Sequence, residues 1–195
     1  MSIQQRRERE RAQRHELIVK SARELAEAEG WDAVTTRRLA ERIEYSQPVL
    51  YSHFAGKDAI VAAVALEGFD EFTRVVRAAR AGADTPERVL AAVARAYLDF
   101  ATANPALYVA MFSMTTDLPF ADDSSPAPMR AAFDELTAAF EPLAAGRALG
   151  TLTEVGWSAL HGLVVLNRDG RMRSEEQDAR LDMLVGQLLA VPSQA

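Results

Sequence analysis

The stretch Thr35–Lys57, TTRRLAERIEYSQPVLYSHFAGK, constrains this chain more than any other. It holds two short helical patterns separated by a tight polar corner. In the first, Thr36 to Ile43, the side chains of Leu39, Ala40 and Ile43 share one face at spacings of three and four. The second opens at Ser46, whose hydroxyl is placed to cap the exposed amides of Gln47-Pro48-Val49. Proline is tolerated there because the amides of a first helical turn lack an intrahelical acceptor anyway. Val49, Leu50 and Phe54 can then face inward, which leaves Gln47, Tyr51, Ser52 and His53 outside. Two helices, a short corner and a polar outer face suit a helix-turn-helix, whose second helix enters the major groove of DNA.

Thr36-x-x-Leu39-Ala40-x-x-Ile43, followed by Ser46-Gln47-Pro48-Val49-Leu50-Tyr51-Ser52-His53-Phe54 and Lys57, closely resembles the operator-binding domain of the tetracycline-repressor-like (TetR) family. The resemblance covers roughly residues 14 to 65. It implies that Thr36, Arg37, Ser46, Gln47, Pro48, Val49, Tyr51, Ser52, His53 and Lys57 meet DNA, Thr36 and Arg37 through the backbone. Gln47 is the best placed to read a base edge, since an amide pairs bidentately with adenine; Tyr51, His53 and Lys57 suit phosphates. One departure stands out. The family usually carries Gly at the corner occupied here by Glu44, so Glu44 must accept a positive φ or shift the corner.

The net charge of −6 looks wrong for a DNA binder until it is divided. Residues 1–57 hold eleven Lys/Arg against nine Asp/Glu, and residues 58–195 eleven against nineteen. The positive footprint is therefore confined to the front of the chain. Within it, Arg6, Arg7, Arg9 and Arg11 alternate with Glu8 and Glu10. They form either an arm that follows the DNA backbone or minor groove, or a solvated helix extension with internal ion pairs. The absence of Cys excludes disulfides, thiolate metal sites and Cys nucleophiles. No apolar run reads as the roughly 20 residues of a membrane span, and the Arg-rich start lacks a signal-peptide core, so a cytoplasmic chain is expected.

Beyond the motif every segment reads as helix, so the fold class is all-α. An amphipathic stripe from Arg14 ends at Gly30, with Trp31 and Val34 tucked beneath it and Thr35 or Thr36 capping the next helix. A long helix from Asp58 to about Arg80 buries Ile60, Val61, Val64, Phe69, Phe72, Val75 and Val76. Thr85-Pro86 and Asn104-Pro105 open helices to Ala103 and Phe112; Ser113–Pro128 is a loop. Further helices run from Pro128 to about Ala145 with Pro142 bending the end, from Thr153 to Asn167, and from a Ser174 cap to Val191-Pro192. The expected division is a DNA-binding domain at 1–57 and an effector-binding and dimerisation domain at 58–195.

The helix over Thr153–Asn167 has two apolar stripes, so it must touch two different things. Val155, Ala159, Gly162, Leu163 and Leu166, with Leu181, Leu184, Val185 and Leu188 of the last helix, are the expected dimer interface, a four-helix bundle with their symmetry mates. A dimer is needed because one short helix reads DNA too weakly, and two copies must sit about 34–36 Å apart. On the other stripe, Trp157 and His161 could join Tyr97, Phe100, Tyr108, Met111, Phe112, Met114 and Phe140 in an effector pocket, although ordinary core looks the same. Trp157-x-x-x-His161-Gly162 resembles the Trp-His-Gly signature of one sensor-domain subgroup of the family.

The expected function is a ligand-responsive transcriptional regulator, by default a repressor. It would bind palindromic double-stranded operator DNA as a homodimer and respond to a small apolar or aromatic effector, with no cofactor, metal, catalytic residue or membrane partner. The alternatives are a helical module that no longer binds DNA, or an enzyme acting on a pocket ligand. Against the latter, His15, His53 and His161 are scattered, and no HExxH or Gly-rich phosphate loop occurs.

Overall fold

The computed structural model describes residues 2–120, 122 and 124–190, with the Ser174 side chain outside that set. Among the described residues there is no strand. The helices are α1 (Ile3–Glu29), α2 (Thr36–Arg42), α3 (Gln47–Tyr51), α4 (Lys57–Ala81), α5 (Pro86–Ala103), α6 (Pro105–Phe112), α7 (Ala127–Phe140), α8 (Leu149–Arg168) and α9 (Gln177–Leu189).

The chain divides into two compact units, and not at the expected boundary after Lys57. The first unit comprises Met1–Gly68 and Asn104–Pro126; the second comprises Phe69–Ala103 and Ala127–Ala195. The division falls inside α4, and α6 joins the front of the chain. The reason lies in polar contacts that helical periodicity does not encode. Both carboxylate oxygens of Glu27 on α1 accept from the first-turn amides of α6, Oε2 from Ala106 at 3.0 Å and Oε1 from Leu107 at 2.9 Å. An anion there satisfies two orphan donors and faces the positive end of the helix dipole. The Trp31 indole donates to the Ala106 carbonyl at 2.8 Å, and Arg23 donates to Asn104 Oδ1 at 2.8 Å. Asn104 stands at the N-cap of α6 as expected, but its side chain makes no capping bond; Glu27 caps the helix from another element.

The core of the first unit is built on the α1 stripe of Ile18, Ala22, Leu25 and Ala26, all buried with Trp31, Val34, Leu39, Leu50 and Phe54. Gly30 ends α1 at φ 83°, a conformation that glycine adopts without strain, and Trp31 follows in a 3-10 turn. α1 itself starts at Ile3, not Arg14. Ser2 and Gln5 form a reciprocal capping box, and Arg6–Glu10 at 2.9 Å supports the first turns. Residues 3–13 thus continue α1 as exposed helix.

In the second unit α5 packs against α7, α8 and α9, and α7 packs along α8. Thr85 caps α5 through the Arg88 amide at 3.3 Å. On the α4 stripe Phe69, Phe72 and Val76 are buried, whereas Val75 is exposed. α7 stops at Phe140, because Pro142 cannot continue an α-helix, and Glu141–Leu143 form a 3-10 turn. Arg147 then donates to the carbonyls of Leu143 and Ala144 at 2.5 and 3.1 Å, satisfying the helix end. Glu135, buried on α7, receives Arg77 at 2.6 Å and Arg80 at 2.9 Å from α4. Burial alone would raise its carboxyl pKa, but the two guanidinium hydrogen bonds outweigh that and hold it below the usual range. α9 begins at Gln177 after a 3-10 turn over Ser174–Glu176; the expected Ser174 cap bond and the Val191-Pro192 stop lie outside the described residues.

Contrary to expectation, α8 is long and apolar enough, by length and composition, to cross a bilayer. Its packing along α5 and α7, and the presence of Glu154, His161 and Arg168, suit the wall of a helical body instead.

At Gly156 the backbone of α8 lies directly against the Phe140 ring of α7. A Cβ there would lie 2.2 Å from Cζ of Phe140, whose ring is 1% exposed and has no room to withdraw. Gly156→Val is expected to lower stability by about 1–3 kcal/mol, the usual cost of overpacking. Phe140→Leu in the same chain should return part of that loss; denaturant unfolding of the two variants checks both.

Candidate nucleic-acid interface

α2 and α3 are set at their corner by Glu44, which adopts φ 59°. The Tyr45 amide then donates to the Ala40 carbonyl at 3.0 Å, closing the end of α2. Glu44 thus accepts the left-handed conformation, and the corner is kept. The Thr35 hydroxyl caps α2 by accepting from the Arg38 amide at 3.2 Å. Ser46 occupies the N-cap of α3, but its hydroxyl makes no capping bond. Pro48 sits in the first turn of α3, where its missing N–H leaves no acceptor unpaired.

Leu50 and Phe54 are buried and Val49 half-buried, so α3 presents Gln47, Pro48, Tyr51 and Ser52 outward. Tyr51 is 52% exposed, a large ring left in water on a short helix. Its hydroxyl lies 3.3 Å from Oγ1 of Thr36, so α2 and α3 bring two hydroxyls to one point beside the first turn of α2. The Ser52 hydroxyl turns back to donate to the Val49 carbonyl at 2.6 Å. Arg37 is exposed and donates to Glu41 at 3.0 Å. Lys57 is half-buried, and its ammonium donates to the Trp31 carbonyl at 2.5 Å, tying the start of α4 to the turn after α1. Two of its three donors are left for a phosphate. His53 is half-buried. Burial, and then the nearby charges of Arg11, His15 and Arg14, hold its imidazole below the ordinary histidine range. His15 stacks on Phe54 at 4.5 Å between ring centroids, so α1 lies against the far end of the recognition helix.

In the second unit Tyr97, Phe100 and Phe140 are buried and Trp157 and His161 half-buried. The Trp157 indole donates to the Tyr97 hydroxyl at 3.1 Å, and Trp157 and His161 lie 6.4 Å apart between centroids. Phe72, which is not among the pocket residues expected from sequence, sits edge-on to both Tyr97 and Phe100 at 5.3 Å. Burial, then Arg168, lowers the pKa of His161. Tyr108, Met111, Phe112 and Met114 belong to the first unit, where Tyr108 and Phe112 pack at 4.8 Å and Leu107 and Met111 close over Gly68. The nine residues therefore divide five to four between the units.

The expected dimer residues also divide. Val155 is 57% exposed and Leu166 is exposed, while Ala159, Gly162 and Leu163 are half-buried. Leu181, Val185 and Leu188, by contrast, are buried within the protomer, on the helix that packs against α5. They are core, and they cannot be the surface α9 offers a partner. Leu184 is half-buried, and Met183, which helical periodicity does not single out, is 67% exposed.

An all-helical chain whose front unit presents a polar recognition helix from a helix-turn-helix is a DNA-binding protein of the regulator class. Comparison with known proteins narrows this. The profile of the bacterial regulatory proteins of the tetR family matches residues 18–64, and that of the tetracyclin repressor-like C-terminal domain matches residues 90–188. An HTH-type transcriptional regulator of Mycobacterium tuberculosis is 29% identical over 90% of this chain and 79% of its own length. The class C tetracycline repressor protein of Escherichia coli is 46% identical over 26% of this chain and 23% of its own. Among solved structures, a protein from Rhodococcus sp. RHA1 superposes with a TM-score of 0.76 at 22% identity, covering 90% of this chain and 93% of that one. The TetR family regulator PfmR of Thermus thermophilus gives 0.61 at 21% identity, covering 87% and 97%. The chain belongs to the TetR family of transcriptional regulators.

The strained corner gives a direct test. A left-handed non-glycine residue costs about 1–2 kcal/mol, and the greater unfolded-state entropy of glycine offsets part of the relief on substitution. Glu44→Gly is therefore expected to raise stability by up to about 1 kcal/mol, read as a higher denaturant midpoint at unchanged slope.

Proposed function

We propose that this chain is a ligand-responsive repressor that binds a palindromic operator as a homodimer and is released by a small apolar or aromatic effector. The observation that carries the reading is the outward face of α3. Gln47 is exposed at its first position, and the Tyr51 hydroxyl, one turn on, meets that of Thr36 at the first turn of α2. That arrangement offers one bidentate amide to a base edge and, from the bonded hydroxyl pair, one free O–H to a phosphate.

Dimerisation is supported by the α8 face of Val155, Ala159, Gly162 and Leu166. It is apolar, incompletely covered in the protomer, and has nothing within 4 Å of a Cβ placed at Gly162. Gly186 on α9 is likewise open, and Met183 adds exposed apolar surface on the same helix. Small residues of this kind admit a second backbone closely.

The effector would enter among Tyr97, Phe100, Phe140, Trp157 and His161. The Tyr97 hydroxyl and the imidazole are polar groups set among aromatic rings, and the depressed pKa of His161 favours its neutral form there. A ligand that favours one spacing of the two recognition helices would shift operator affinity roughly 5- to 150-fold, for a coupling of about 1–3 kcal/mol. Because α4 carries the chain from one unit into the other, it is the element placed to transmit the difference.

Two measurements test the reading. Gln47→Ala with Tyr51→Ala should abolish selective binding to a duplex recovered from chromosomal DNA by the wild-type chain while leaving the melting temperature within a few degrees; unchanged binding would place the reading surface elsewhere. His161→Ala should alter the response to an effector found by thermal-shift screening of small apolar molecules, with little change in DNA affinity without it. A large fall in both would make His161 purely structural.

A further inference from the structure

The cations of the DNA-binding unit are unequally available. On α2, Arg37, Arg38 and Arg42 are tied to Glu41, Glu29 and Glu24 at 3.0, 2.9 and 3.0 Å. Lys57 already holds the Trp31 carbonyl, and Lys20 faces Glu24 at 4.0 Å. Arg6 and Arg14 share Glu10 at 2.9 and 3.6 Å. Among the described residues Arg7, Arg9 and Arg11 meet no carboxylate, and all three are exposed. The positive charge that no carboxylate holds therefore sits on the first turns of α1.

The register of α1 decides which of these cations can act together. The helix is continuous from its Ser2 capping box to Glu29, so the buried position of Ile18 fixes the rotation of every earlier turn. At 3.6 residues per turn, Arg7, Arg11, Arg14 and Ile18 fall on one stripe, and Arg9 falls on the opposite side. Ile18 is buried in the core of the unit that holds the helix-turn-helix. One residue from Arg14, His15 stacks on Phe54 at the end of the recognition segment. The electrostatics agree: Arg11 and Arg14, not Arg9, are among the charges that depress His53.

We infer that the Arg7–Arg11 face of α1, with the Glu10-paired Arg14 at its inner end, is a second DNA contact, a rigid basic rail that grips the phosphates bordering the groove entered by α3. This rests on the DNA-binding reading above. The occupant is duplex backbone, because the rail continues from the recognition segment and sets guanidinium groups in a row, the arrangement that a line of phosphates matches. The successive guanidinium groups are about one helical turn apart, so each can meet a separate phosphate. The Glu8 and Glu10 carboxylates keep the rail near neutrality overall, which limits its pull on unrelated polyanions.

The test uses the full chain and two probes of equal length: a duplex recovered by the wild-type chain from chromosomal fragments, and a scrambled one. Arg7→Gln with Arg11→Gln should weaken binding to both probes by a similar factor, leaving their ratio unchanged, and reduce the log K against log salt slope by about one per lost contact. Arg7→Lys with Arg11→Lys should keep most of the slope, and Arg9→Gln, on the opposite side, should change neither quantity. Hydroxyl-radical protection should shrink at the outer edges of the footprint in the Gln double variant alone. Helix content by circular dichroism guards against unfolding of α1. Wild-type slope and footprint in that variant, or an equal effect from Arg9→Gln, would overturn the rail while leaving α3 as the reading surface. Failure of the wild-type chain to bind either probe in dilute buffer would overturn both proposals.

Discussion

One carboxylate organises the front of this molecule. Glu27 reaches from the last turn of α1 to two first-turn amides of α6, and the Trp31 indole closes on the Ala106 carbonyl beside them. The Trp31 carbonyl in turn takes the Lys57 ammonium from α4. A single 3-10 turn therefore ties α1, α4 and α6 together, although α6 lies far along the chain. Charge-assisted hydrogen bonds contribute more than neutral ones, about 1.5–3 kcal/mol each where water is excluded and less at a partly exposed site. Burial of the Trp31 ring adds a hydrophobic term of comparable size. The consequence is mechanical: whatever moves α6 acts on the segment that fixes the helix-turn-helix.

The interface is preorganised by cancellation as much as by attraction. Each α2 arginine is held by a carboxylate of its own unit, and the angle between α2 and α3 is held by a left-handed Glu44. Exposed ion pairs of this kind contribute little to stability. They matter because they keep long side chains in defined places before DNA arrives. A phosphate would then compete with Glu41 for Arg37, so displacing that partner offsets part of the Coulomb gain. Arg7 and Arg11 have no such partner to lose.

The second unit is held by different chemistry. Glu135 draws two arginines of α4 onto α7, while the Phe140 ring lies directly on the backbone of α8 at Gly156. One contact is polar and one is steric, and both depend on a residue with no local signature. Among the described residues of this unit, Val75 of α4, the α8 face at Val155 and Leu166 and the Met183 edge of α9 stay uncovered. Apolar surface of this kind is unfavourable in water, and pairing with a second copy would remove it.

Taken alone, the chain determined that its segments are helices, its helix-turn-helix and its family, because caps, prolines and the 3.6-residue period are local properties; it did not mark the start of α1, since residues 3–13 carry no apolar stripe. Thr35, Thr85 and Gly30 end or begin helices where their chemistry demands, and the Leu50/Phe54 spacing with Gln47 and Tyr51 assigns the outward face of α3 without a structure. Tertiary packing alone decided which neighbour covers each apolar arc. A period shows that Leu181, Val185 and Leu188 share a face, but not that the face meets its own α5. It marks Val75 as apolar, but not as exposed. Nor can it show that α6 belongs with α1, since the carboxylate capping α6 comes from a helix distant in sequence. Ion pairing between elements is equally silent in a sequence: Arg37 and Glu41 are legible as neighbours four residues apart, but only the fold brings Arg38 to Glu29 and Arg42 to Glu24.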